Sequence, residues 1–131
     1  MDTIYFDEPE MNAAISTARD TFPQFLANWK KLPNDGVSIK IAVPTDSGDA
    51  EHIWFNPTRI TKDKITGTCG SKPVDVAELN YGEERTYDIS KLSDWMIVIG
   101  KKCYGGYTIR VLAKQPNFEP PFEFADFHNG D

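Results

Sequence analysis

Apolar residues in the first third of the chain recur at Met11, Ile15, Ala18, Phe22, Phe25, Leu26 and Trp29, the spacing of one helix face. Asp7 is suited to cap that helix, Pro9 falls in its first turn, and Glu10 follows the cap by three positions, as in a capping box. Pro23 has no N–H to donate and crowds the preceding turn, so the pattern predicts two helices, 8–19 and 22–31, with Asp20 or Thr21 capping the second. Lys30 and Lys31 suit the negative end of a helix dipole, and the run from Leu32 to Gly36 is a stop signal.

Beyond Gly36 the period changes to two. Val37, Ile39, Ile41 and Val43 alternate with Ser38, Lys40 and Ala42, a strand with one buried and one wet face. A polar turn at 44–49 leads to a return strand, Glu51 to Phe55. Ile65, Gly67 and Cys69 share one side of the next strand, and Arg85 to Ile89 forms another after a turn at Gly82. The uninterrupted apolar run Met96 to Ile99 predicts a central strand covered on both faces. Tyr107, Ile109 and Val111 alternate with Thr108, Arg110 and Leu112, which predicts a last strand joined to it by a hairpin over 100–106.

Helices followed by a run of closely spaced strands predict an α+β domain, two N-terminal helices packed on a bent, mostly antiparallel sheet of about six strands. All 131 residues fit one domain: a helical lead-in over 8–31, a β-rich body over 37–113 and a tail over 115–131. The tail is rich in proline and phenylalanine and has no Lys or Arg, so extended chain stapled down by Phe118, Phe122, Phe124 and Phe127 is expected.

Composition narrows the function classes. Twenty Asp and Glu against fourteen Lys and Arg give a net charge of −6, which disfavours a nucleic-acid partner. The longest apolar run, Trp95 to Ile99, is too short to cross a bilayer, and Met1 to Glu8 has neither the basic nor the apolar region of a secretory signal. A cytoplasmic location follows as an expectation, with Cys69 and Cys103 as reduced thiols. A monomer or weak homodimer is expected.

Candidate chemistry is sparse. On the return strand His52, Trp54 and Asn56 share the face opposite Glu51, Ile53 and Phe55, so Glu51 cannot orient His52, but an imidazole, an indole and an amide together can form a recognition patch. A surface or core-satisfied His52 is the simpler reading. His52, His128, Cys69 and Cys103 lack the spacing of a metal site, and no cofactor is implied. Cys69 reads as a small buried residue, whereas Cys103, placed in a hairpin loop beside Lys102, could have its thiol pKa lowered. Gly105-Gly106 leads into a predicted strand, which argues against a phosphate cradle. Ser90 to Asp94 reads as a tight turn delivering Trp95 to the core, with Asp94 paired to Arg110 across the hairpin; Asp94, Trp95, Gly106 and Arg110 are therefore assigned structural roles.

Several blocks together are similar to one family. Glu51-His-Ile-Trp-Phe, Ile65-Thr-Gly-Thr, Asp88-Ile-Ser-Lys-Leu-Ser-Asp-Trp-Met and Gly106-Tyr-Thr-Ile-Arg-Val-Leu resemble the YegJ-like family of uncharacterised bacterial proteins, as does the lead-in Ala18-Arg with Phe22-Pro-Gln-Phe-Leu. The resemblance covers roughly 10–113 and departs at Gly70-Ser-Lys-Pro73, where Ser71 stands in place of the family's Asn. It implies a small α+β domain of bacterial origin with a strongly bent sheet, and brings no catalytic residue.

Three functions compete. The first is a non-catalytic protein-binding domain, in its sharpest form an immunity protein that neutralises a basic bacterial toxin domain by charge-steered capture. Its candidate contacts are Asp46, Asp49, Glu51, His52, Trp54, Glu83, Glu84, Glu119, Glu123 and Asp126. The second is a small enzyme using the His52/Trp54 face with Asp94 and Arg110, and the third is a domain that binds a small ligand in a groove of the bent sheet.

Overall fold

The computed structural model describes residues 8–127. Helix α1 spans Glu8–Asn28 and passes into a 3-10 turn over Trp29–Lys31. Strands β1 (Val37–Pro44), β2 (Ala50–Ile60), β3 (Lys64–Cys69) and β4 (Glu84–Asp88) follow, then β5 (Leu92–Ile99), β6 (Lys102–Gly105), a short helix α2 (Tyr107–Leu112) and β7 (Glu123–Ala125). The seven strands form one sheet in the order β4-β3-β2-β1-β5-β6-β7, antiparallel except for the parallel β6–β7 pair. The α+β reading is therefore met, with one long helix and one short one against seven strands.

Pro23 does not break the first helix. Ala14, Ala18, Phe22, Phe25 and Trp29 are buried along one continuous face, while Pro23 lies on the solvent side, where the carbonyl it leaves unbonded can meet water. Asp20 and Thr21 consequently sit inside the helix and cap nothing. Thr21 Oγ1 donates back to the Thr17 carbonyl at 2.7 Å. Asp7 lies outside the described residues, and Glu10 pairs with Lys114 at 2.7 Å.

β1 alternates as the sequence predicts, with Val37, Ile39, Ile41 and Val43 buried. β2 runs beyond Phe55 to Ile60, because a register shift between Pro57 and Arg59 absorbs the proline. A second shift, between Lys40 and Ile41, occurs where β1 meets β5. β5 lies inside the sheet and is buried at its start, but Ile99 at its end is exposed, so that strand is not covered throughout.

Tyr107 to Leu112 is helix, correcting the expected last strand. The partner of β5 is β6, inside what reads in the sequence as a hairpin connection, with Met96 opposite Gly105 and Ile99 opposite Lys102. Gly105 and Gly106 then take left-handed conformations, φ +75° and +62°, which turn the chain sharply into α2. Gly105 is also needed for space, since a Cβ there would lie 2.4 Å from the Trp95 carbonyl oxygen.

Trp95 anchors the core. It is fully buried, meets Phe25 at 5.9 Å and Tyr107 at 5.9 Å between ring centroids, and donates its indole N–H to Ala18 O at 3.1 Å and Thr21 Oγ1 at 3.0 Å. Burial of each such ring contributes roughly 1.5–3 kcal/mol. The hydrogen bonds fix where α1 lies against β5. In the tail, Phe127 stacks on Tyr104 at 4.2 Å and Phe122 meets Phe124 at 5.5 Å, whereas Phe118 is exposed.

Candidate functional site

The sheet register builds the site. Lys40 in β1 stands opposite Trp54 in β2 and opposite Asp94 in β5, so an indole, an ammonium group and a carboxylate lie in one row across three strands. One step along, Ala42 is opposite His52. Lys40 Nζ sits 5.1 Å from the Trp54 ring centre and donates to Thr108 Oγ1 at 2.6 Å. Thr108 Oγ1 in turn donates to Asp94 Oδ2 at 2.5 Å.

Asp94 is fully buried and accepts from four donors. The Trp95 and Tyr107 amides reach Oδ1 at 2.8 and 3.2 Å, and the Thr108 amide and hydroxyl reach Oδ2 at 2.9 and 2.5 Å. Burial pushes its carboxyl above the usual carboxylate range, opposed by the Thr108 bonds, by the Lys40 charge and by the Trp95 amide. Three of these donors are backbone amides, which can only donate, so the surroundings of Asp94 favour its carboxylate form over the protonated one. Two of them come from the first amides of α2, so this buried anion takes the place of an N-cap. The double glycine does lead into a helix, and its first amides are occupied by Asp94.

Lys40 and His52 are shifted in the same direction. Burial lowers the Lys40 pKa below its ordinary value, against the attraction of Asp94. Burial and then the Lys40 charge lower that of His52. His52 Nδ1 lies 2.9 Å from Ser93 Oγ, and Ser93 Oγ donates to the Lys40 carbonyl at 3.3 Å. With its only proton committed there, Ser93 accepts from Nδ1–H, which leaves Nε2 as the acceptor nitrogen of a neutral ring.

These side chains open onto a cleft of about 340 Å³ lined by Glu8, Met11, Asn12 and Ile15 of α1, Lys40, His52, and Thr108 and Leu112 of α2. Met11 and Ile15 of α1 and Leu112 of α2 give it an apolar side, and four elements converge on it, a form that suits a small molecule. A larger hollow of about 530 Å³ is lined by the 72–81 loop alone and gathers nothing from the sheet or helices. Among the described residues no three His, Cys, Asp or Glu side chains converge as a metal site needs. Nor is any helix there long and apolar enough to cross a membrane.

Other expected residues fall elsewhere. Asn56 leaves the recognition patch, since its amide group donates to the Asn34 and Val37 carbonyls at 3.3 and 3.0 Å. Arg110 does not pair with Asp94. It binds the Gly105 and Ala125 carbonyls and Asp126, with its guanidinium over Tyr107 and Phe124, and so ties α2 to β7. Gly106 keeps its structural role by donating to the Trp95 carbonyl at 2.7 Å. Cys103 is not a loop thiol but a buried residue of β6, and burial pushes its pKa up to about 12. Cys69 is likewise buried, as expected. His128 lies outside the described residues.

The acidic candidates do not form one surface. Glu83 and Glu84 lie at the β4 edge of the sheet and Glu123 and Asp126 at the β7 edge, its opposite end. Glu51 accepts from the Val74 and Asp75 amides, Glu83 pairs with Arg85, Glu84 accepts from Thr58 and Asp126 pairs with Arg110. Asp46 and Asp49 are exposed in the β1–β2 turn, and Glu119 is exposed in the tail.

The residues that sequence reading missed are Lys40 and Thr108, with the α1 positions Met11, Asn12 and Ile15. Aligning β1 on β2 about the 44–49 turn would have set Lys40 beside Trp54. Nothing local signals Thr108, which reaches the site only because α2 is a helix.

The family described as an uncharacterized protein conserved in bacteria (DUF2314) matches residues 8–124. The chain is 33% identical over 107 residues to the uncharacterized protein YegJ of Escherichia coli (strain K12), covering 82% of this chain and 69% of that protein. It is 29% identical over 121 residues to a Neisseria meningitidis serogroup B protein whose name places it among ankyrin repeat proteins, and spans 46% of that protein's length. No solved structure matches it significantly.

Proposed function

Because the chain belongs to the bacterial family DUF2314, whose description assigns no activity, we propose its function from the cleft: it is a non-catalytic binding domain for a small amphipathic molecule. An oxygen-acceptor head, in the simplest case a carboxylate, meets Lys40, and an apolar body lies on Met11, Ile15 and Leu112. The observation that carries this reading is the half-buried Lys40 ammonium, directed by Thr108 and Trp54 into a cleft with apolar walls. Asp94 balances its charge from behind Thr108, so the group presented to the cleft is a hydrogen-bond donor held in place before any ligand arrives.

The toxin-neutralising reading has less support. Its acidic contacts are divided between the two ends of the sheet, and Glu51, Glu83, Glu84 and Asp126 are engaged within the chain.

A fragment screen by amide-resolved NMR tests the proposal. Short-chain and aromatic carboxylates are expected to shift the amides of Ile15, Lys40, His52 and Leu112. Shifts confined to the 72–81 loop, or a preference for cationic fragments, would contradict it.

A further inference from the structure

Lys40 differs from the other lysines of the described chain in its surroundings. Lys30, Lys31, Lys62, Lys64, Lys72, Lys91, Lys101, Lys102 and Lys114 are exposed, whereas Lys40 is half-buried. It lines a cleft walled in part by apolar side chains from separate elements. Its amine is held by Thr108 Oγ1 at 2.6 Å and by the Trp54 face, and is not free to sweep through water. A neutral imidazole, His52, lines the same cleft.

Together these are the conditions that make a lysine a nucleophile toward carbonyl carbon: a desolvated, positioned amine, an apolar pocket for the electrophile, and a neighbouring base. We propose that Lys40 captures small amphipathic aldehydes reversibly as an imine, in the cleft assigned above to ligand binding and resting on that assignment.

The step balances without a further reactant. The neutral amine nitrogen bonds to the carbonyl carbon as the C=O π bond breaks, giving a carbinolamine. The C–O bond then breaks and the oxygen leaves as water, carrying the two protons the amine gave up. His52, unprotonated at Nε2, is the group in the cleft able to move a proton between nitrogen and oxygen. The lowered pKa of Lys40 raises the fraction of neutral amine at pH 7 and so acts in the same direction. Asp94 opposes it, and its separation from the amine by Thr108 limits that opposition.

The test treats the full chain with hexanal at pH 7 in the presence of cyanoborohydride, which reduces any imine to a stable secondary amine, and maps the labelled lysines by peptide mass spectrometry. Lys40 is expected to be labelled about tenfold faster than the mean of the exposed lysines. Excess octanoate should suppress labelling at Lys40 and leave the others unchanged. Lys40→Arg, which keeps the charge toward Thr108 and Asp94, should remove the fast site, with circular dichroism confirming the fold. Labelling that follows surface exposure, with Lys40 at or below the other lysines, would overturn the amine chemistry. If octanoate still shifts the cleft amides in that case, ligand binding stands alone; if it does not, both proposals fail.

Discussion

Lys40 and Thr108, 68 positions apart, are joined by a 2.6 Å hydrogen bond that links the middle of β1 to the second residue of α2. Behind that bond the Asp94 carboxylate holds the first amides of α2, so one buried anion both caps the start of the helix and balances the amine. Site and fold therefore share their central contacts.

Removing that anion should cost stability. Asp94→Ala leaves the Tyr107 and Thr108 amides without their acceptor and Lys40 without its counter-charge, and a loss of about 3–5 kcal/mol is expected in urea denaturation. Asp94→Asn keeps the shape but turns an NH2 group toward donors, so it too should destabilise the fold. A change below about 1 kcal/mol for Asp94→Ala would show that α2 does not depend on this carboxylate.

The interaction between Lys40 and His52 can be read by titration. Burial and the Lys40 charge hold the His52 pKa below 6.5, so the unfolded chain takes up its proton at a higher pH than the folded one. Stability should accordingly fall as pH drops through 6.5 toward the native value, and level off below it. Lys40→Met should move the His52 midpoint upward in proton NMR, toward the unperturbed range. An unchanged midpoint would mean the two groups do not interact.

Cys103 should resist thiol reagents. Its pKa is pushed up to about 12 and its side chain is fully buried beneath Gly106, 3.2 Å from where a Cβ would stand. In a thiol assay at pH 8, labelling should appear only on unfolding. Rapid labelling of Cys103 in the native protein would contradict its placement in β6.

Two glycines with the same backbone sign should respond differently. Gly105→Ala adds a clash with the Trp95 carbonyl to left-handed strain, and a loss of about 2–4 kcal/mol is expected. Gly48→Ala, with φ +91° and open space around it, should cost about 1 kcal/mol. Equal losses in chemical denaturation would show that space at Gly105 is not limiting.

How far the sequence carries depends on which interactions are local. The alternation Val37–Val43 is a property of one strand against one core, and β1 forms as it predicts. Two of the differences, at Pro23 and α2, were decided by distant contacts. Pro23 is tolerated because Phe22, Phe25 and Trp29 bury a continuous face around it. Tyr107 to Leu112, rich in strand-favouring side chains, becomes helix because a carboxylate 13 positions upstream accepts its first amides. At the site, the strand period shows that His52 and Trp54 share a face. Lys40 joins them only through strand register, and Met11 and Ile15 read as ordinary helix core until α1 is seen to wall a cleft.

Whether the cleft of Lys40 and His52 holds a small amphipathic ligand is decided by calorimetric titration with octanoate. Leu112→Trp fills the cleft from its apolar side and leaves Lys40, Thr108 and Asp94 unsubstituted. Saturable one-to-one binding by the native chain is expected, abolished in Leu112→Trp and weakened at least about tenfold in Lys40→Met, the loss expected for one charge-assisted hydrogen bond. No binding by the native chain, or equal binding by Leu112→Trp, would contradict it.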